Sequence, residues 1–484
     1  MKHFFAVLLL FFTLFFTFST AKSQNSEVTE NYLNNLLENY KKKEPKTFSK
    51  GRYLIITPAG FESTLEYFAN YKRNIGFDVR IVNTNTTGKT SQAIKNFIQS
   101  QYKNSSTRPT YVLLVGDVDS IPAYEGNSTG KVKTDPISDL GYALLSGNDY
   151  FADLNLGRFS VANVEQLKNI INKTIFMEVN LHLFDKKAVF IAGDEKKGAW
   201  NKSYMTNSFK NGHENVIANS FIPLGYKCTR LYKPELKSVI DALNNNPLFY
   251  LYAGHGSFTL FAGKSFELGI KEVHSVTNTV FPFVFSFACK TGNFAQNCIG
   301  EHFIRAKNKG AVAFWGSSVN SQTNTDKTIE KKVLGEAFKQ GERYLSPVIN
   351  LGMKQFATTL GPRKKIREIF LKSYNLLGDP SFDMKGVFAT TASNKQITNP
   401  AQFSVFRDSL NNSFSLAYTL EKESSVQIDI CSTSGEVLQN MVQIAQQKSG
   451  CYYHNFSLSD LPSGEYKLVL KDDSRIVSTQ IIKR

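Results

Sequence analysis

The sequence predicts an α/β protein in which two α/β subdomains with mainly parallel sheets precede a small C-terminal β-sandwich. Short apolar runs alternate with helix-spaced patterns from residue 52 to about residue 385. These runs are apolar at successive positions, which is typical of strands buried on both faces of a parallel sheet. Beyond residue 400, apolar and polar residues alternate instead, as in strands with one exposed face. At roughly 150 residues per domain, a chain of 484 residues accommodates about three such units.

The chain begins with a pattern typical of a secretory signal peptide. Lys2 and His3 precede an apolar stretch at 4–18, which small residues follow at 19–21. We assign residues 1–21 to the signal and residues 22–51 to a short N-terminal segment or propeptide. The apolar stretch is shorter than the ~20 residues of a membrane-spanning helix, so we expect a mature chain without an integral membrane segment, secreted or on the cell surface.

Residues 52–385 carry the predicted α/β elements. The first subdomain, residues 52–182, has strand patterns at 53–56, 79–82 and 111–115 and helical patterns at 61–75 and 93–102. The second, residues 183–385, has strand patterns at 188–191, 228–231, 248–252, 283–287 and 311–315. A Ser/Thr/Asn-rich linker at 386–399 then leads to the β-sandwich at 400–484, with strand patterns at 414–418, 426–430 and 466–470.

The composition excludes several classes of function. The chain has 57 Lys and Arg against 41 Asp and Glu, but the basic residues are scattered and no nucleic-acid-binding signature accompanies them. We therefore expect solvated basic faces and no nucleic-acid partner. The 7 His residues include no pair at zinc-ligand spacing. The 5 Cys residues are too few for a disulfide scaffold, although a bridge between Cys431 and Cys451 stays open.

Two reactive side chains follow neighbouring predicted strands. His255 and Cys289 lie just past the carboxyl ends of the strands at 248–252 and 283–287, where open parallel sheets place their working residues. A thiolate attacks carbonyl carbons, an imidazole transfers the proton, and backbone N–H groups stabilise the oxyanion. Gly256 has no side chain, so its N–H and that of Cys289 are candidate oxyanion donors. The alternative is a satisfied loop histidine and a buried strand-end cysteine.

Residues 52–385 resemble the gingipain-type cysteine peptidases, whose clan also includes the caspases and legumains. The matching stretches, in order, are YVLLVGD at 111–117, GND at 147–149, GRFS at 157–160, HENVIAN at 213–219, GHGS at 254–257, the segment around Ala288 and Cys289, and GDPS at 378–381. The resemblance implies a caspase-like catalytic unit in which Cys289 is the nucleophile, His255 the general acid and base, and Gly256 with Cys289 the oxyanion hole. It places the acidic partner of the histidine near Glu195, with Asp194 as the alternative. The chemistry requires no cofactor, whereas a structural calcium ion is implied without assignable ligands.

One position departs from the arginine-specific members of that family, which place an aspartate at the bottom of the pocket for the residue before the cut. Our alignment places Lys210 there. Because an ammonium group repels a cationic substrate side chain, we expect acidic or neutral residues before the cleaved bond. The alternative is that Lys210 points to solvent.

The predicted β-sandwich resembles the C-terminal sorting domain of type IX secretion substrates. The matching stretches are VQIDI at 426–430, GEV at 435–437 and LPSGEYKL at 461–468. The resemblance implies export across the outer membrane with the type IX machinery as a partner. The sequence thus predicts a secreted cysteine endopeptidase that acts on protein or peptide substrates through a thioester. A transpeptidase using the same dyad and a catalytically silent surface adhesion protein stay open as alternatives.

Overall fold

The computed structural model describes residues 50–125, 136–195, 204–340, 342–361, 364–388, 403–408, 413–420, 423–447, 450–458 and 461–483. The predicted signal peptide, nearly all of the predicted N-terminal segment and most of the predicted linker lie outside these residues. The chain divides into two compact units, one with the described residues 50–388 and the other with the described residues 403–483.

The first unit contains fifteen strands, most of them short and buried. In chain order they are β1 (Arg52–Thr57), β2 (Asp78–Asn83), β3 (Tyr111–Val115), β4 (Tyr124–Glu125), β5 (Ile137–Ser138), β6 (Asn155–Phe159), β7 (Lys187–Ala192), β8 (Lys227–Tyr232), β9 (Phe249–Ala253), β10 (His255–Gly256), β11 (Leu260–Ala262), β12 (Glu267–Gly269), β13 (Phe283–Phe287), β14 (Ala313–Ser317) and β15 (Tyr374–Leu377).

The α-helices of this unit are α1 (Glu62–Asn74), α2 (Thr84–Thr87), α3 (Ser91–Lys103), α4 (Val164–Asn180), α5 (Tyr204–Val216), α6 (Leu236–Asn244), α7 (Ile270–Ser275), α8 (Ile299–Arg305), α9 (Thr323–Glu330), α10 (Leu345–Thr359), α11 (Lys364–Ser373) and α12 (Lys385–Phe388). Short polar side chains begin some of them, because the first N–H groups of a helix lack partners within it. Thr90 accepts from the N–H of Ala93, and Asn163 accepts from that of Gln166. Among the described helices, we find none long and apolar enough to cross a membrane.

Ten of the strands form one sheet in the order β2-β1-β3-β6-β15-β14-β13-β9-β7-β8. Neighbours pair in parallel except β14 and β15, which pair antiparallel, so the five strands on each side of that boundary run in opposite directions. Strands β9 and β13 are buried at every position, as their largely apolar sequences predict. The predicted mainly parallel α/β fold is confirmed, and strands of both predicted subdomains join in this sheet. The boundary between those subdomains stays a prediction.

Two charged motif residues stabilise this unit from inside. The guanidinium of Arg158, in GRFS, forms two hydrogen bonds of 2.7 Å with the carboxylate of Asp139 and is fully buried. Asp379, in GDPS, pairs with the buried ammonium of Lys72 at 2.5 Å and accepts a hydrogen bond of 2.7 Å from the hydroxyl of Tyr53. Because a buried charge is costly without a partner, these motifs maintain the fold.

The second unit is a seven-stranded antiparallel structure. Its strands are β16 (Phe403–Asp408), β17 (Ser413–Leu420), β18 (Ser424–Cys431), β19 (Val437–Gln447), β20 (Gly450–Ser457), β21 (Gly464–Asp472) and β22 (Arg475–Lys483). They form two sheets, β16-β17-β20 and β19-β18-β21-β22, around one apolar core to which Leu416, Ile428 and Leu468 belong. Cys431 carries a free thiol, so the bridge to Cys451 that the sequence left open is not formed.

Candidate active site

The two predicted reactive residues follow paired strands. In the parallel register of β9 and β13, Ala253 lies opposite Phe287. His255 and Cys289 each come two residues later, and the N–H of Gly254 donates to the carbonyl of Phe287 at 3.2 Å. Both side chains are partly exposed to solvent. The sheet therefore brings the loops that carry the imidazole and the thiol to neighbouring positions at its carboxyl edge, and the pairing of the two side chains as a dyad stays a prediction.

Gly256 lies directly against the backbone of the thiol loop. A Cβ at this position would lie 2.8 Å from Cγ2 of Thr291, 2.9 Å from the carbonyl oxygen of Cys289 and 3.0 Å from Cβ of Ala288. Contacts this short are not tolerated between real side chains, so only glycine fits here without moving a loop. This approach brings the backbone of Gly256 and that of Cys289 to one place, as an oxyanion hole formed by both requires.

A hairpin behind His255 holds its loop. Strand β10 pairs antiparallel with β11, with His255 opposite Ala262. The hydroxyl of the buried Tyr252 lies 2.6 Å from the carbonyl oxygen of His255 and 2.8 Å from that of Ala262. Burial, together with the charges of Asp194 and Cys289, raises the pKa of Tyr252 well above its usual value, so the hydroxyl remains a donor at neutral pH.

The thiol of Cys289 contacts a residue that the sequence did not indicate, Ser321. The N–H of Ser321 lies 3.3 Å from Sγ, and the carbonyl oxygen and hydroxyl of Ser321 lie 3.7 and 3.9 Å from it. Lys290 makes the turn after the thiol with a positive φ of 64° and donates its N–H to the carbonyl of Val319. Ser321 follows β14, the neighbour of β13. The feature of the sequence that could have indicated it is the polar run just past the carboxyl end of that strand.

Asp194 and Glu195, the two candidate acidic partners of His255, follow β7, the neighbour of β9, and both are buried. Oε1 of Glu195 accepts the N–H of Met205 at 2.8 Å, and Oε2 lies 3.3 Å from the hydroxyl of Thr206, so Glu195 caps helix α5. Oδ1 of Asp194 accepts the N–H groups of Lys264 and Ser265 in the turn between β11 and β12. Each carboxylate therefore organises backbone beside the His255 loop, and a role for either in orienting the imidazole stays a prediction.

Lys210 lies apart from the other predicted site residues. It is exposed on α5, with its ammonium 5.7 Å from the ring centroid of Tyr232 on the edge strand β8. Strand β8 is separated from β13 by β7 and β9, a lateral distance of about 14 Å at the usual strand spacing. The structure does not bring Lys210 to the thiol, and its predicted effect on substrate preference stays a prediction.

The other thiols with described side chains lie in environments that suppress the thiolate. Burial raises the pKa of Cys228 to about 11 and that of the fully buried Cys298 well above its usual value. Burial also raises the pKa of Cys431. Because the thiolate is the nucleophilic form, these three residues are poor candidates for catalysis. Within the described ranges, moreover, we find no group of three or more His, Cys, Asp or Glu that could hold a metal ion, and the implied structural calcium ion stays a prediction.

Comparison with known proteins gives a consistent result. Gingipain R2 of Porphyromonas gingivalis (strain ATCC BAA-308 / W83) is 32% identical over 373 residues, which is 73% of this chain and 48% of that protein. Lys-gingipain of the same species (strain ATCC 33277) is 32% identical over 288 residues, 57% of this chain and 16% of that protein. The chain thus spans half or less of the length of these curated relatives.

The solved structures show the same fold. The crystal structure of the Arg-specific cysteine proteinase gingipain R (RgpB) has a TM-score of 0.59 at 24% identity, covering 90% of this chain and 99% of that one. The sequence model of peptidase family C25 matches residues 46–385, the part of the chain that contains the ten-stranded sheet and both reactive side chains. The chain therefore belongs to peptidase family C25.

Proposed function

We propose that the protein is a secreted cysteine endopeptidase in which Cys289 is the nucleophile and His255 the general acid and base. The observation that carries the proposal is the close packing of the His255 loop against the Cys289 loop. A Cβ atom at Gly256 would lie only 2.9 Å from the carbonyl oxygen of Cys289. Membership of a peptidase family and the raised thiol pKa values elsewhere support it.

In the proposed reaction, the imidazole of His255 takes the thiol proton, Sγ of Cys289 attacks the carbonyl carbon of a peptide bond, and the carbonyl electron pair moves to its oxygen. The N–H groups of Gly256 and Cys289 donate to the resulting oxyanion. The C–N bond breaks as the imidazolium of His255 gives a proton to the departing amine, leaving a thioester. Water then gives a proton to His255 and attacks the thioester; the C–S bond breaks, the acid is released, and the imidazolium returns its proton to Sγ. These steps need no cofactor.

Substitution of the thiol tests the proposal. We expect Cys289→Ala and His255→Ala to lose at least about 10³-fold in the rate of casein hydrolysis, as nucleophile and base substitutions do in other peptidases. Cys228→Ala is the matched control, because that thiol is partly exposed on β8 and should keep full activity. Parent-like hydrolysis by Cys289→Ala would refute the assignment.

The same assay separates the two alternatives. A transpeptidase would join an added amine to the acyl group, which mass spectrometry of the products detects. A parent protein that binds surfaces but neither cleaves casein nor reacts at Cys289 would be a silent adhesion protein.

For substrate preference, we propose acidic or neutral residues before the cleaved bond. The relatives include an Arg-specific proteinase and a Lys-gingipain, but here the two carboxylates that follow β7, Asp194 and Glu195, are buried and already accept backbone hydrogen bonds. A cation, Lys290, directly follows the thiol and lies 5.1 Å from the ring centroid of Phe258. A peptide library read out by mass spectrometry tests this preference, and strong cleavage after arginine would overturn it.

We further propose that the signal peptide carries the chain across the inner membrane and that the C-terminal unit directs type IX export. The motif stretches at 426–430 and 461–468 support this, since they contribute to β18 and β21 of the antiparallel unit. Deletion of residues 400–484 in a host with type IX secretion should retain the protein in the periplasm. Unchanged release to the surface or medium would contradict the sorting role.

A further inference from the structure

A buried network lies behind Cys289, on the side opposite the His255 loop along the sheet. Ser321, whose N–H lies 3.3 Å from Sγ, also interacts through its side chain with Asp326 in the first turn of α9, an interaction that acts to lower the pKa of that carboxyl group. Asp326 is 1% exposed, so its carboxyl group is enclosed by protein. The thiol loop, the loop after β14 and helix α9 thus meet in one set of hydrogen bonds.

A second residue completes the network from β15. The hydroxyl of the buried Tyr374 donates to Oδ1 of Asp326 at 2.7 Å, and its ring packs on Trp315 with the centroids 4.6 Å apart. Burial raises the pKa of Asp326 to about 7, against the effect of the hydrogen bonds from Ser321 and Tyr374. Burying this carboxyl group costs free energy, and its contacts with Ser321 and Tyr374 fix the position of Ser321.

We propose that Ser321 is a further catalytic residue, which stabilises the Cys289 thiolate through its backbone N–H, and that Asp326 and Tyr374 are positioning residues that hold Ser321 against the sulfur. The proposal rests on the proposed function of Cys289 as nucleophile. A hydrogen bond donated to the charged form of a group favours that form, and the N–H of Ser321 is placed to donate one to Sγ. The hydroxyl of Ser321 matters because it anchors the loop to Asp326.

Among the described ionisable groups, Tyr252 and Tyr374 interact electrostatically with Cys289, Lys290 directly follows it in the chain, and His255 lies on the loop of the neighbouring strand. The charge of Cys289 contributes to the raised pKa values of both tyrosines, which keeps them neutral at the pH values of interest. Changes in the thiol titration on altering the network can therefore be assigned to Ser321 and its support.

The test is the pH dependence of iodoacetamide alkylation at Cys289 in the full chain, identified by mass spectrometry. We expect Ser321→Ala and Tyr374→Phe to move the midpoint up by about one pH unit, which means tenfold less thiolate at a fixed lower pH. The value of kcat should fall while KM stays the same. In Asp326→Asn the amide N–H can donate to the Ser321 hydroxyl, reversing that interaction, while the amide oxygen still accepts from Tyr374, so the midpoint should stay at or below that of the parent.

Tyr53→Phe is the matched control, because the hydroxyl of Tyr53 also donates at 2.7 Å to a buried aspartate, Asp379, remote in sequence from the thiol. It should keep the parent midpoint. Unchanged midpoints in both Ser321→Ala and Tyr374→Phe would overturn the proposal, and a raised midpoint in Asp326→Asn would overturn the positioning role of Asp326. The proposed function fails separately, if Cys289 is alkylated no faster than Cys228 in the parent.

Discussion

Gly256→Ala tests the contact between the two loops most directly. The added methyl would lie 2.8 Å from Cγ2 of Thr291 and 2.9 Å from the carbonyl oxygen of Cys289, whereas nonbonded carbon atoms prefer about 3.5 to 4.0 Å. The carbonyl belongs to the backbone and cannot rotate away, so the loops must separate by roughly 0.5 Å or more. Overpacking of this kind costs about 1–3 kcal/mol in the free energy of unfolding.

Such a shift also moves the N–H of Gly256 relative to the thiol. Because a displacement of about 1 Å costs about 100-fold, we expect a loss of roughly 10- to 100-fold in kcat for peptide hydrolysis. Urea unfolding measures the stability, and initial rates on a peptide substrate measure kcat. Gly335→Ala is the control, since its nearest contact would lie at 3.6 Å. A Gly256→Ala protein with parent values for both quantities would refute the proposed approach of the loops.

Three further predictions concern charged residues. Glu195→Gln keeps an acceptor for the N–H groups of α5, so a loss in kcat at unchanged stability would identify Glu195 as the partner of His255, whereas parent kcat would leave it as a helix cap. Burial acts to lower the pKa of His213, but the ion pair with Glu330, at 2.6 Å, outweighs burial and raises that pKa above its usual value. The pair therefore stabilises the fold fully below about pH 6.5, and this stabilisation declines as the pH rises through the raised pKa of His213. Glu330→Gln should thus cost roughly 3 kcal/mol in urea unfolding at pH 5.5 and less at pH 9, and a pH-independent cost would contradict this. Lys290→Asn should raise cleavage after arginine relative to cleavage after glutamate by roughly tenfold. Lys210→Asn in the same assay tests the predicted effect of Lys210 on substrate preference, and an unchanged ratio would contradict that effect.

Much of the secondary structure could be predicted because it depends on local composition. The strand predicted at 283–287 matches β13 in full, and the one predicted at 248–252 matches β9 within one residue. An uninterrupted apolar run can be buried only between two layers, so it predicts a parallel strand with a functional loop at its end. His255 and Cys289 were predictable for that reason.

The pairing of β15 shows what local patterns could not predict. Its four residues resemble many short apolar runs, yet it lies antiparallel to β14 and parallel to β6, joining the two halves of the sheet. Its register depends on contacts with chain more than 200 residues away, such as the hydrogen bonds between Asn375 and the 137–139 segment. No local propensity encodes contacts of that separation.

The sequence by itself determined which residues are chemically capable of catalysis: a thiol, an imidazole and a flanking glycine, each past the end of an apolar run. The tertiary structure decided which groups surround them. It placed Ser321 beside the sulfur, used Glu195 to cap helix α5 and kept Lys210 exposed on α5, against Tyr232 of the edge strand. The physical reason is that reactivity belongs to a side chain, whereas partners are set by strand order and loop packing, which depend on contacts along the whole chain.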